Sequence, residues 1–121
     1  MATKLTVAGK ASLPLEDGGT VAPIDLALDL TYTSDAYFIR DYAGAVADEA
    51  IDFGTLAVPG AKAIIVKCLT GACTIKFNGD ATAWPLAPGG WMAWSNPSTP
   101  FPTAAAITTT GAARVLFLAV G

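Results

Sequence analysis

Apolar and polar residues alternate along long stretches of this chain. The clearest run is Ile24-Asp25-Leu26-Ala27-Leu28-Asp29-Leu30-Thr31-Tyr32. Ile24, Leu26, Leu28, Leu30 and Tyr32 share one parity, and Asp25, Ala27, Asp29 and Thr31 share the other. A period of two predicts a half-buried strand, because successive side chains of a strand point to opposite faces. A second run, Ala63–Cys68, a Gly71-containing turn, then Cys73–Asn78, predicts a β-hairpin. With Cys68 opposite Cys73, Val66 meets Ile75 and Ile64 meets Phe77, while Lys67, Thr74 and Lys76 take the other side. A one-residue slip would turn the apolar set outward, so the pattern specifies its own register.

Twelve Gly and eight Pro punctuate the chain and leave no room for a long helix. Asn78-Gly79-Asp80 and Ala87-Pro88-Gly89-Gly90 read as turns around short extended pieces at Ala83–Leu86 and Trp91–Trp94. Asn96 to Pro102 reads as a loop, because its three prolines block both helix and central strand. Ala105–Thr109 and Val115–Ala119 read as the last strands. Weaker strand patterns lie at Tyr37–Arg40 and Ile51–Leu56, and Asp48-Glu49-Ala50 suits one helical turn. About eight short strands with regular turns predict an all-β chain, an antiparallel β-sandwich or barrel. Residues 1–23 are less patterned and read as an N-terminal arm or an edge strand; residues 24–121 read as a single β-sandwich domain.

Composition bears chiefly on the surface. Hydrophobic residues make up 53% of the chain and charged ones only 14%, against about 25% in an average domain. Much of the surface is therefore small or apolar, either because threonines and alanines face water or because other subunits cover it. The net charge of −3 and the scattering of seven cations exclude a phosphate-binding footprint and a polybasic membrane contact. No apolar run reaches the ~20 residues of a spanning helix. Met1–Val7 lack the apolar core of a signal peptide, so synthesis in the cytoplasm is expected.

Candidate chemistry is sparse. The chain has no histidine, which removes Ser–His and Cys–His nucleophile pairs and the commonest transition-metal ligand. Two cysteines alone do not complete a zinc site. Cys68 and Cys73 read as two buried thiols or as a cross-strand disulfide, the former favoured in a reducing compartment; a redox pair lacks an activating cation. Carboxylates pair as Glu16-Asp17, Asp25 with Asp29, and Asp48-Glu49 with Asp52. On one extended strand Asp25 and Asp29 stand about 13 Å apart, too far for glycosidase chemistry, and no EF-hand spacing supports calcium. Trp84, Trp91 and Trp94 invite a sugar-binding reading, but Trp91 and Trp94 have opposite parity and should face different sides. No catalytic residue, cofactor site or metal site is expected, and an enzyme is the remote reading.

Several pieces together resemble a diffuse group of small virion proteins of tailed bacteriophages. They are Leu30–Ser34, Ala50–Leu56, Ala63–Lys67, Trp84–Gly90 and Ala113–Gly121. The resemblance implies a jelly-roll-like sandwich and a virion structural role without catalytic residues. The expected function is a capsid decoration or cement subunit on the outside of the head, with the major capsid protein as partner, and a dimer or trimer as its state. A tail, baseplate or fibre-associated protein is the alternative, and a carbohydrate-binding module the second. The expected location is the virion. The candidate contact surface is Leu5 and Val7 on the arm, which could add a strand to a neighbour's sheet, together with Trp84, Trp91 and Trp94.

Overall fold

A computed structural model describes residues 3–7, 10–11, 24–25, 28–32, 35–53, 61–95 and 104–121. The chain forms two compact units, Met1–Thr33 and Ser34–Gly121. Every regular element among the described residues is a β-strand.

The first unit holds two antiparallel pairs. Strand β1 (Thr3–Val7) pairs with β4 (Leu28–Tyr32), and β2 (Lys10–Ala11) pairs with β3 (Ile24–Asp25). The stretch expected as one strand from Ile24 to Tyr32 is thus two strands, whose partners are N-terminal residues.

The second unit holds eight strands: β5 (Asp35–Tyr42), β6 (Val46–Ala50), β7 (Ala63–Thr70), β8 (Cys73–Phe77), β9 (Trp84–Leu86), β10 (Trp91–Ser95), β11 (Ala105–Thr109) and β12 (Ala113–Val120). Their pairings are nested: β5 with β12, β6 with β11, β7 with β10, and β8 with β9. A long antiparallel ribbon bent over on itself gives this nesting. Two further pairings, β12 with β7 and β11 with β8, complete two four-stranded antiparallel sheets, β10-β7-β12-β5 and β6-β11-β8-β9. This is the antiparallel β-sandwich expected from the pattern, with the jelly-roll winding that the resemblance implied.

The core lies between these sheets. Ile64, Val66, Cys68, Val115 and Phe117 enter it from one side, and Cys73, Ile75 and Ile107 from the other. Phe117 stacks at 5.1 Å on Phe38 and meets Phe53 edge-on at 6.3 Å. Thr109 is the buried polar side chain among the described residues. Its hydroxyl donates to the Gly44 carbonyl at 2.9 Å and accepts from the Val46 amide at 3.1 Å, which satisfies it and fixes the β5–β6 corner.

The expected β7–β8 hairpin does not form. β7 and β8 lie in different sheets, and the turn between them carries the chain across the sandwich. The inward set is nevertheless the predicted one: Ile64, Val66, Cys68, Cys73 and Ile75 are buried, and Phe77 is half-buried against the core. Parity along a strand needs only local geometry, whereas the choice of partner depends on β10 to β12, far away in sequence. Gly71 makes the crossing with φ of +72°, and a Cβ there would lie 2.3 Å from the Ala112 carbonyl oxygen. Only glycine combines that conformation with that approach.

The single helical turn expected at Asp48-Glu49-Ala50 is also corrected. These residues belong to β6, where a register shift opposite Ile107 and Thr109 leaves Asp48 at φ of +44°. The bulge is held by the Thr108 hydroxyl, which accepts from the Asp48 amide at 2.9 Å and donates to its carboxylate at 3.2 Å. Ile51 to Phe53 leave the strand, the rest of that expected strand lies outside the described residues, and so does the Asn96–Pro102 loop.

Candidate binding groove

The two open edges of the sandwich are built differently. At the β5–β6 edge Arg40 and Glu49 form an ion pair that joins one sheet to the other, with the guanidinium 5.2 Å from the centre of the Tyr42 ring. At the β9–β10 edge no such pair closes the gap among the described residues. A groove of about 770 Å³ opens there instead.

Its walls follow from local sequence. Asn78 and Gly79 both have positive φ, and the Asp80 amide donates to the Phe77 carbonyl at 2.9 Å. This is the Asn-Gly turn that suits the twist of a two-residue reversal. Asn78 is tied to β11 by two bonds with Ala104: its amide donates to the Ala104 carbonyl, and its side-chain oxygen accepts from the Ala104 amide, each at 3.0 Å. The turn therefore forms a fixed rim. From it the chain returns as β9, placing Trp84 opposite Ile75. The Ala87–Gly90 turn then crosses to the other sheet. Gly89 donates to the Cys68 carbonyl at 2.8 Å and Gly90 accepts from the Cys68 amide at 2.9 Å, so β10 starts in a set position along β7.

All three tryptophans line this groove, with Phe77, Met92 and Ala93 between them. Trp84 and Trp91 are 53% and 62% exposed, a large apolar area to leave in water, and Trp94 is half-buried. The parity argument is upheld for β10, where Met92 and Trp94 turn inward and Trp91 and Ala93 outward. Because β10 is an edge strand, the groove wraps around the edge, so Trp91 and Trp94 line it from different sides. Asp80 is the one ionisable side chain among the described lining residues.

The other residues singled out from sequence are not among the described lining residues. Leu5 is half-buried on β1, and Val7 is on the same strand. Cys68 and Cys73 are free and buried. They are not opposite residues of paired strands, since Cys68 lies beside Val115 and Cys73 beside Thr109 and Leu86. They come together between the sheets. The Cys68 thiol reaches the Gly71 carbonyl at 3.2 Å and the Thr70 carbonyl at 3.4 Å. Burial, with Cys68 beside it, pushes the Cys73 thiol up to about 12, so it is no nucleophile at neutral pH. Burial likewise raises the Tyr42 hydroxyl, against the opposing pull of Arg40. That hydroxyl finds no hydrogen-bond partner among the described residues. The acids divide: Asp48 pairs with Lys76 at 3.3 Å and Glu49 with Arg40. No group of three metal-ligating side chains occurs among the described residues, and Glu16-Asp17 lie outside them.

No family model and no curated protein matches this chain. Solved structures do. A cupin superfamily protein from Desulfitobacterium hafniense DCB-2 is 16% identical over 75% of this chain and 72% of its own, with a TM-score of 0.48. The cupin domain of Schizosaccharomyces pombe Cnp3 is 12% identical over 93% and 83%, with a TM-score of 0.48. Ethanolamine utilization protein Q from Salmonella typhimurium LT2 is 11% identical over 96% and 97%, with a TM-score of 0.44. None of the three is a virion protein. The expected kinship with tailed-phage virion proteins is therefore corrected, and with it the head-decoration function, its tail alternative and the virion location.

Proposed function

We propose that this chain is a non-catalytic binding protein whose tryptophan groove takes a neutral or cationic ligand with a flat apolar face. The observation that carries the reading is the convergence of Trp84, Trp91 and Trp94 on one open edge, two of them largely exposed. The volume of about 770 Å³ falls within the range of small-molecule sites. An indole offers a large apolar face at low entropic cost, and stacking on it contributes about 0.5–1.5 kcal/mol beyond area burial. It also attracts cations over its ring. Asp80 and the lack of any Lys or Arg among the described lining residues set the sign: an anion finds no cationic partner there, whereas a cation finds a carboxylate. The non-catalytic part is supported by the same lining, since a lone exposed carboxylate has no second group with which to shuttle a proton.

Three matched probes test this reading: 2-naphthylmethanol, 2-naphthylmethylammonium and 2-naphthylacetate, titrated against tryptophan fluorescence and checked by calorimetry. The alcohol and the ammonium are expected to bind with dissociation constants on the order of 1 mM, as suits about twelve heavy atoms, and the acetate more weakly. Trp84→Ala or Trp91→Ala should weaken binding roughly 2- to 10-fold. Absence of binding by all three probes, or unchanged affinity in the Trp84→Ala/Trp91→Ala double variant, overturns the reading.

A further inference from the structure

The middle of the outer face of the β10-β7-β12-β5 sheet is apolar on all four strands apart from Lys67. Register places its outward side chains in rows. One row runs Ala93, Ile65, Leu118, Tyr37, and the next runs Trp91, Lys67, Leu116, Ile39. Tyr37, Ile39 and Trp91 are 63%, 43% and 62% exposed, and Ile65, Leu116 and Leu118 are half-buried. The next row runs Ser95, Ala63, Val120, Asp35; Ala63 and Val120 are buried and Ser95 and Asp35 exposed, so the apolar patch begins at Ile65 and Leu118 and Asp35 stands on its rim. At the other end it is bordered by the Arg114–Asp41 ion pair, 3.4 Å apart. An apolar middle carrying aromatic anchors and a charged rim is the anatomy of a protein–protein interface.

We infer that this face is an interface between two copies of this chain. Self-complementarity argues for a copy as the occupant. A copy turned about an axis along the strands sets β10 over β5 and β7 over β12. Tyr37 then meets Ala93, Trp91 meets Ile39, and Ile65 meets Leu118, so the bulky residues of one edge fall on smaller ones of the other. The one cation within the rows, Lys67, falls on Leu116 and not on its own copy, so its stem packs while its amine reaches toward the rim. Like charges are therefore not opposed, as an isologous contact requires.

The area bounds the contact. Five residues per strand at ~3.3 Å and four strands at ~4.8 Å give a patch of about 300 Å² per copy. Pairing two such patches buries about 600 Å² before the rim is counted, below the roughly 1,000 Å² of a stable specific interface and in the range of weak, transient contacts. The expected state is a weak, reversible dimer.

Sedimentation velocity of the full chain from about 10 μM to about 1 mM covers the range of such contacts. Self-association is expected within it, with Ile39→Glu weakening it at least tenfold and Lys67→Met tightening it several-fold. Ile39 is exposed on an edge strand, and an unchanged circular-dichroism spectrum checks that its variant folds; Lys67→Met keeps the test decisive if it does not. A chain that stays monomeric throughout, or a dimer indifferent to both substitutions, overturns the inference.

Discussion

The two sheets of the sandwich have matching inner faces and opposite outer ones. Inside, both present alternating Ile, Val, Cys and Phe to a shared core. Outside, β6-β11-β8-β9 carries Asp48, Thr74, Lys76 and Thr108, and three of these are tied together through the Asp48 carboxylate. That face is complete in water. The other sheet turns out Ile39, Tyr37, Leu116, Leu118 and Trp91 around a single Lys67. Inward alternation is thus the condition for a core, and both sheets meet it. Outward composition is free of that condition, and there the sheets diverge according to what each must touch.

The largest expected effect tests the shared core. Phe117→Ala removes a fully buried ring that touches both Phe38 and Phe53, and about 3–5 kcal/mol of stability should go with it. Urea unfolding followed by fluorescence and circular dichroism should remain one transition. Two separated transitions within residues 34–121 would break the view that the sheets share a core.

A smaller effect sharpens it, because Cys68 and Cys73 reach the core from different sheets. The folded Cys73 thiol holds its proton up to about 12, against an ordinary value near 9. Below pH 9 both states are protonated and stability is unaffected. Between about pH 9 and 12 the unfolded chain releases a proton that the folded one keeps, so stability falls as pH rises. The raised Tyr42 hydroxyl acts with the same sign. Urea midpoints at pH 7, 9.5 and 10.5 should decline, and less steeply in Cys73→Ala. Equal slopes in the two proteins would count against the buried thiol.

The smallest effects separate the outer faces. Lys76→Ala removes an exposed ion pair and Leu116→Thr a half-buried methyl pair; each should move stability by about 1 kcal/mol or less. Self-association should weaken only in Leu116→Thr. An equal response from the two faces would erase the distinction between them.

Much of the strand set was legible in the sequence. Val115–Ala119 and Ala105–Thr109 alternate too regularly to be anything else, and the Asn78-Gly79 turn needs no distant partner. The site was legible only in its residue types. Trp84, Trp91 and Trp94 stood out, but their parity on paper separated two residues that an edge strand brings to one groove. The apolar outer face was invisible, because Tyr37, Ile65 and Leu116 become neighbours only through pairing among β5, β7 and β12.

The all-β character, the main turns and the side chains that share a face of a strand could be read from the order of residues, since these depend on backbone geometry within a few residues. Folding of the whole chain parts β7 and β8 into different sheets, brings the two thiols together across the core, and seals one edge with an ion pair while the other opens on tryptophan. The reason is physical: a strand's neighbours are chosen by the burial of the whole ribbon, and no local stretch contains that information.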